Sequence, residues 1–167
     1  GPKSHVVENS VHAGEDIVIN DTNFSLKTEG SKRLNSSKIT ISKLMEARWI
    51  RECKTTKDFH SKMREHVLGH FRNYERILAL RGKYVEGKDL YEYKLYEIPL
   101  DLLTLIDGLS PSDFKPRTEN GGSSATVKHE GKSVFTIRFD GSVEKITISN
   151  LLVESCKLYC AWEIPNS

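Results

Sequence analysis

One stretch of thirteen residues, from Asp16 to Thr28, constrains the fold of this chain more than any other. Polar and apolar side chains alternate on both sides of its centre, as they do in half-buried strands. The centre is Asn20-Asp21, and both residue types accept the left-handed backbone of a two-residue hairpin turn. The stretch therefore predicts a β-hairpin, with one strand ending at Asn20 and the next beginning at Asn23.

The two faces of this hairpin differ in chemistry. One face carries the polar side chains of Asp16, Ser25 and Lys27. With a loop at Asp21-Thr22, Val18 lies opposite Ser25 and Asp16 lies opposite Lys27, with Cβ atoms about 4.5–5.5 Å apart. A carboxylate there can hold a hard cation such as Mg²⁺, and a lysine beside it can orient a water. A surface hairpin with a cross-strand salt bridge is the open alternative. The other face carries the apolar side chains Ile17, Ile19, Phe24 and Leu26.

These residues resemble the PD-(D/E)xK nuclease superfamily, which includes most restriction endonucleases. Its signature is an aspartate on one strand and (Asp/Glu)-x-Lys on the next, and here Asp16 is followed by Ser25-Leu26-Lys27. The departure is Ser25, because a hydroxyl is a poorer Mg²⁺ ligand than a carboxylate. One branch of restriction enzymes also has Ser-x-Lys and takes its second carboxylate from the following helix.

The resemblance implies a metal-dependent active site on the hairpin. Asp16 and a second carboxylate would bind Mg²⁺, or Mn²⁺ as a substitute, and the Leu26 carbonyl would be a further ligand. Lys27 would position or activate the attacking water. Ser25 would form a hydrogen bond to a water or to the ligand shell of the metal.

The second carboxylate has three candidates. Glu46 is the first, on the flank of an amphipathic helix that the apolar spacing predicts from about position 38 or 42 to Cys53. Glu8, on a short helix predicted over residues 4–13, and Glu52 are the alternatives. For Glu46 the open alternative is an ordinary helix glutamate paired with Arg or Lys. For Glu8 it is a solvated glutamate on a terminal helix.

The net charge of +2 hides a segregation along the chain. Residues 27–83 contain 15 Lys and Arg against 6 Asp and Glu, whereas the rest contains 10 against 17. A basic half favours a phosphate-backbone partner such as double-stranded DNA, and a basic helical surface without a partner is the alternative. The loop over residues 108–124, with Lys115 and Arg117, also suits DNA contact. The predicted DNA-binding residues are Lys32, Arg33, Lys38, Lys43 and Arg48.

The remaining pattern predicts an α/β fold. A long helix is predicted from about Lys57 to Arg81, with Thr55-Thr56 as its N-terminal cap and Gly82 at its C-terminal end. A strand is predicted over residues 91–98. The last third predicts a β-meander, with Trp162 packed under the sheet. Its strands are expected at residues 125–130, 133–139, 145–149 and 156–162. The expected architecture is a mixed central β-sheet flanked by helices, restriction-endonuclease-like, with a C-terminal β-meander.

Length and composition limit the class of protein. A chain of 167 residues is expected to form one nuclease domain, cut from a longer protein, with Gly1-Pro2 as the scar of a cleaved tag. No apolar run approaches the ~18 residues of a membrane span. The cysteines Cys53, Cys156 and Cys160 lack metal-ligand spacing and predict reduced thiols, hence a cytoplasmic location.

The expected function is that of a metal-dependent endonuclease that hydrolyses DNA phosphodiester bonds, in restriction or a related defence role. The alternative is a non-catalytic DNA-binding module that retains the nuclease fold, which the serine in place of a carboxylate favours. A two-strand cut at a palindrome would require a homodimer.

Overall fold

The computed structural model describes residues 4–6, 17–31, 33–74 and 76–166, with the backbone alone for residues 4–6 and 17. Within these ranges the strands lie in two sheets. The strands are β1 (Ser4–Val6), β2 (Ile17–Ile19), β3 (Thr22–Gly30), β4 (Lys38–Glu46), β5 (Arg76–Val85), β6 (Leu90–Ile98), β7 (Ser123–His129), β8 (Lys132–Asp140), β9 (Lys145–Leu152) and β10 (Lys157–Pro165).

Sheet A has six strands in the order β1-β2-β3-β5-β6-β10, and sheet B has four in the order β4-β9-β8-β7. In sheet A, β3 and β5 are parallel and the other neighbours are antiparallel, so the predicted mixed sheet is confirmed. The connection from β3 to β5 passes through the first strand of sheet B before it enters the helical segment. The chain passes between the sheets again from β6 to β7 and from β9 to β10, so four connections link them.

The helical segment within the connection from β3 to β5 is shorter than the sequence predicts. It consists of α1 (Thr56–Lys62), a π-helical turn (Met63–Val67) and α2 (Leu68–Phe71). The apolar side chains that recur along this segment at helical spacing are buried. The helix does not continue to Arg81, however, because β5 begins at Arg76. Gly82 lies inside β5, where a Cβ would stand 2.8 Å from the ring of Tyr93. The buried side chains of this helical face are Phe59, Met63, Val67 and Phe71.

Two other predicted helices are also wrong. The segment predicted as a helix ending at Cys53 is β4, followed by a 3₁₀ helix over Arg48–Glu52. Its pairing with β9 is irregular between Ile41 and Met45, which lets Leu44 reach the core out of strict alternation. A strand with such an irregularity has apolar residues at a spacing that resembles that of a helix, and the sequence therefore predicted a helix here. At the N-terminus, residues 4–6 form β1 rather than part of a helix.

The core lies between the sheets and around α1 and α2. Phe59 of α1 packs against Phe139 of β8, with ring centroids 5.5 Å apart, and the same cluster includes Ile77 of β5 and Ile98 of β6. The described helices therefore lie on the face of sheet A that looks toward sheet B. A short helix after β6, α3 (Leu100–Leu103), completes this layer.

The last strand leaves the predicted meander. β7, β8 and β9 pair consecutively in sheet B, as predicted, but β10 pairs with β6 at the edge of sheet A. Trp162 and Ile164 of β10 are 38% and 48% exposed, so the prediction that Trp162 packs under the sheet is wrong. No helix in the described ranges is long and apolar enough to cross a membrane.

Candidate active site

The predicted hairpin is present, with its two-residue turn at Asn20 and Asp21. Both turn residues have positive φ values, 49° and 63°, which suit the twist of paired antiparallel strands. Across the turn Val18 of β2 lies opposite Asn23 of β3. The turn therefore begins one residue earlier than the predicted loop.

This turn displaces the pairing by two residues from the predicted register. Val18 does not lie opposite Ser25, because its partner is Asn23. The predicted opposition of Asp16 and Lys27 used the same register and loses that support. Asp16 itself lies outside the described residues, as does Glu8.

Ser25 and Lys27 share one face of β3, as the alternation predicts, but this face looks toward the core. Their partners on the parallel strand β5 are Ile77 and Ala79, both buried. Ser25 is fully buried and Lys27 is half-buried. Lys27 is therefore on a strand that pairs with β5 on one side. On the other side, only the first half of this strand pairs with β2.

Glu29 follows on the same face and is held by a buried arginine. Nε of Arg81, on β5, donates to Oε2 of Glu29 at 2.9 Å, and the Arg81 side chain is only 4% exposed. Nη2 of Arg81 also donates to the carbonyl oxygens of Asn35, at 2.5 Å, and Lys38, at 2.7 Å. This guanidinium ties β3, β5 and the start of β4 together next to the candidate site.

The favoured second carboxylate, Glu46, lies at the end of β4 in sheet B. Its side chain is 68% exposed and accepts a hydrogen bond at 3.0 Å from Nζ of Lys43, which lowers the pKa of the carboxyl group. Glu52 ends the 3₁₀ helix and lies 3.8 Å from Nζ of Lys62. The ligand roles of both glutamates stay predictions, although the helix that was to carry them is absent.

The described residues around β3 provide only some of the oxygen ligands that a hard cation needs. The Leu26 carbonyl belongs to β3, and Glu29 is a carboxylate on the face of Lys27. Within the described ranges, however, no three His, Cys, Asp or Glu side chains come together as a metal site. The ligand role of Asp16 stays a prediction, because that residue lies outside the described ranges.

The predicted DNA-binding residues lie along β4 and its flanks. Arg33 and Lys38 are exposed beside the Arg81 contact, whereas Lys32 lies outside the described residues. Lys43 and Arg48 line a hollow of about 280 Å³ together with Lys145 of β9. The sequence alone did not predict Lys145 at this place, because only the pairing of β9 with β4 brings it there.

The predicted loop contacts divide into two kinds. Nε of Arg117 donates to the carbonyl oxygen of Cys53 at 3.1 Å, so Arg117 serves the structure of the loop. Lys115 lies two residues earlier in the same loop, and both residues are exposed. Lys115 also lines a hollow beside sheet B.

Comparison with known proteins gives a family. Residues 3–164 match the profile of the SmaI family, which is described as type II site-specific deoxyribonuclease. This chain belongs to the SmaI family. A curated relative is the type II restriction enzyme SmaI of Serratia marcescens, which is 34% identical over 173 aligned residues.

That alignment covers 98% of this chain and 64% of the Serratia enzyme. The chain thus spans about two thirds of the length of this SmaI-family relative. No solved structure matches the chain.

Proposed function

We propose that this chain carries the catalytic site of a restriction endonuclease that hydrolyses phosphodiester bonds of double-stranded DNA. The observation that carries the proposal is the match to a type II site-specific deoxyribonuclease family over residues 3–164. The position of Lys27 supports it, because this half-buried residue follows the buried Ser25 on one face of β3 and is paired there with β5. We further propose that the site is of the PD-(D/E)xK type.

A divalent cation, Mg²⁺ with Mn²⁺ as a substitute, would stabilise the negative charge that develops on the phosphate. Asp16 and one further carboxylate would hold it, together with the Leu26 carbonyl. Glu46, Glu8 and Glu52 are the candidates for that carboxylate. Carboxylate and carbonyl oxygens are the donors that Mg²⁺ takes in proteins.

Lys27 would act on the water. Its ammonium group would orient a water molecule toward the phosphorus atom and offset charge on the non-bridging oxygens. The water oxygen forms the new bond to phosphorus, the bond to the 3′ oxygen breaks, and that oxygen takes a proton, leaving a 5′-phosphate and a 3′-hydroxyl. The Ser25 hydroxyl would hold a water of this site in place.

Substrate and assembly follow from the same proposal. Double-stranded DNA is the substrate, and cutting both strands of a palindrome uses two copies of the site, so we propose a homodimer in the cytoplasm. Light scattering of the protein on a duplex measures the number of chains per DNA.

A second function is favoured by one observation. Ser25 is fully buried and brings a hydroxyl to the position where the superfamily usually has a carboxylate. A non-catalytic DNA-binding module with this fold would have the same feature. Binding of DNA without cutting, in both Mg²⁺ and Mn²⁺, would support that module and contradict the nuclease.

The test is cleavage of supercoiled plasmid in Mg²⁺ by wild type, Lys27→Ala, Asp16→Ala and Glu46→Ala, with Lys83→Ala as the exposed-lysine control. We expect Lys27→Ala to lower the rate by about 10²–10⁴ without loss of DNA binding, and chelation of the metal to stop cutting. Loss of cutting in Glu46→Ala would identify the second carboxylate. Cutting by Lys27→Ala at the wild-type rate would contradict the proposed mechanism.

A further inference from the structure

A groove on the solvent face of sheet B has no role in the mechanism above. It has a volume of about 660 Å³ and lies between β4, β8, β9 and the loop that leads into β7. We call it the sheet B groove. The lining residues that matter here are Thr40, Ser42, Lys115, Arg138, Lys145 and Thr147.

The hydroxyl groups of the groove follow from strand alternation. In β4 and β9, buried isoleucines face the core and serine or threonine side chains face the groove. A solvated outer face is ordinary for an antiparallel sheet. Serine and threonine hydroxyls are also groups that contact phosphate and sugar oxygens in protein–DNA complexes. The buried set is Ile39, Ile41, Ile146 and Ile148, and the groove set is Thr40, Ser42, Thr147 and Ser149.

Three cations line the groove, and among the described residues none of them has a carboxylate within ion-pair distance, although Lys145 lies opposite Asp140 in the pairing of β8 with β9. Lys115, Arg138 and Lys145 form no ion pair within 4.0 Å with any described residue, whereas Arg51, Lys62, Arg64, Arg76, Arg81 and Lys132 all do.

Asp140 also lines the groove but is engaged by its own turn. It accepts a hydrogen bond from the Ser142 hydroxyl at 2.7 Å and others from the backbone amides of Ser142 and Val143. These bonds, of which that from the Ser142 hydroxyl has the largest effect, lower the pKa of the Asp140 carboxyl group, and the charge of Lys145 lowers it further. The groove therefore offers a surplus of positive charge to a ligand.

The rim of the groove is held by close backbone contacts. A Cβ on Gly122 would stand 2.3 Å from the Phe139 carbonyl oxygen, and a Cβ on Gly141 would stand 2.1 Å from that of Asn120. Next to them, the amide of Lys115 donates to the carbonyl of Ser124 at 2.9 Å. The backbone of Lys115 is thus fixed before any ligand arrives, which lowers the entropic cost of binding.

The positive surface continues beyond the groove. Lys145 also borders the 280 Å³ hollow at the end of β4, which is lined by the cations Lys43 and Arg48 and by the carboxylates Glu46 and Glu144. Glu144 lies 3.6 Å from Nε of Arg51. Lys43 is paired with Glu46, but Arg48 forms no ion pair with any residue in the described part of the chain. A path of unpaired cations therefore runs from Lys115 through the groove to Arg48.

We propose that the sheet B groove binds the sugar–phosphate backbone of duplex DNA, as a contact surface built separately from the cleavage residues of β3. The proposal rests on the proposed function, which supplies DNA as the ligand. The hydroxyls accept and donate hydrogen bonds at the backbone, and the three cations displace its counterions. Contacts of this kind fix the position of the protein on DNA without reading base sequence.

The first test compares Arg138→Gln/Lys145→Gln with a control of equal charge change, Lys83→Gln/Lys88→Gln, in duplex binding by fluorescence anisotropy in EDTA. Because each phosphate contact contributes about one unit to the slope of log K against log salt, we expect the groove variant to flatten this slope by about 2 between roughly 50 and 200 mM salt. Its affinity should fall on the order of tenfold at the lower salt. The control should match wild type.

The second test needs no substitution. Acetylation of wild-type lysines, read by mass spectrometry with and without duplex, should show protection of Lys115 and Lys145 and none of Lys88. Wild-type binding with an unchanged slope in the groove variant, or with Lys115 and Lys145 unprotected, would overturn the groove and leave the nuclease proposal standing. A wild-type protein that neither binds nor cuts duplex DNA would overturn both.

Discussion

At the scale of single residues, Arg81 is the one fully enclosed cation in the described ranges. Its guanidinium donates from Nε to the Glu29 carboxylate and from Nη2 to two backbone carbonyls. A buried pair of this kind contributes little net stability, yet removing one partner leaves the other charge without compensation. Arg81 is therefore expected to be a sensitive position for stability and a neutral one for DNA contact.

We predict that Arg81→Met lowers the free energy of unfolding by about 3 kcal/mol, because Glu29 and two backbone carbonyl oxygens lose their donor. Urea denaturation followed by circular dichroism measures this. Arg64→Met is the matched control, since the Arg64–Asp107 pair is about half exposed and should contribute only about 0–1 kcal/mol. Equal losses in the two variants would contradict the account of Arg81.

The residue pattern of the hairpin explains what could be predicted about the candidate site. Alternation correctly placed Ser25 and Lys27 on one face of β3, because the side-chain period of two is independent of register. The register itself was wrong because Asn20, Asp21 and Thr22 offer two adjacent loops of turn-forming residues. The burial of Ser25 depends on β5, a strand distant in sequence, and local pattern cannot show it.

At the scale of elements, α1 begins with a reciprocal cap. The hydroxyl of Thr55 accepts from the backbone amide of Asp58, and the Asp58 carboxylate accepts from the amides of Thr55 and Lys54 at 2.9 and 2.8 Å. These hydrogen bonds lower the pKa of the Asp58 carboxyl group below its ordinary value of 3.8, and the bond from the Lys54 amide has the largest effect. The start of α1 is thus coupled to pH.

We predict that Asp58→Asn lowers stability at neutral pH and reduces the loss of stability in acid. A carboxyl whose pKa is lowered by folding stabilises the protein above its ordinary value of 3.8, and this contribution is lost as pH falls through the lowered pKa. Urea midpoints measured from neutral pH down to about pH 2 test this. Asp101→Asn, whose carboxylate accepts no hydrogen bond from a described residue, should keep the wild-type pH profile. Parallel profiles for Asp58→Asn and wild type would contradict the prediction.

Elements differed in how well sequence predicted them. β6, β7, β8 and β9 were predicted correctly because each has strong alternation bounded by turn residues. β4 and β5 were predicted as helix, since a bulge in β4 and the continuous apolar run of β5 both mimic a helical period. Parallel pairing with β3 buries both faces of β5 in part, and that removes the polar alternation that identifies a strand.

At the scale of the whole molecule, four connections and a shared core hold the two sheets together as one unit. The core cluster is continuous from β5 and β6 through α1 to β8 and β9. The two tryptophans report on separate parts of this unit. Trp49 stacks on His66 at 5.1 Å beside the core, and Trp162 stacks on Tyr93 at 5.6 Å on the edge of sheet A.

We predict a single cooperative unfolding transition for both sheets. In Trp162→Phe, the fluorescence of Trp49 should follow the same denaturation curve as far-UV circular dichroism, and in Trp49→Phe the fluorescence of Trp162 should do likewise. The midpoint of each variant can shift, so the comparison is made within a variant. A fluorescence transition of Trp162 that precedes the dichroism transition would show that β10 unfolds independently.

The order of strands has a consequence for synthesis. β4 is made early, but its partner β9 begins about a hundred residues later, and β6 similarly precedes β10. At ribosomal speeds of about 5–20 residues per second, β4 exists for roughly 5–20 s before its partner has been made. Throughout that interval Ile39, Ile41 and Leu44 have no sheet to join. We expect the nascent chain to depend on chaperones in that interval, and the last quarter of the sequence to trigger its collapse.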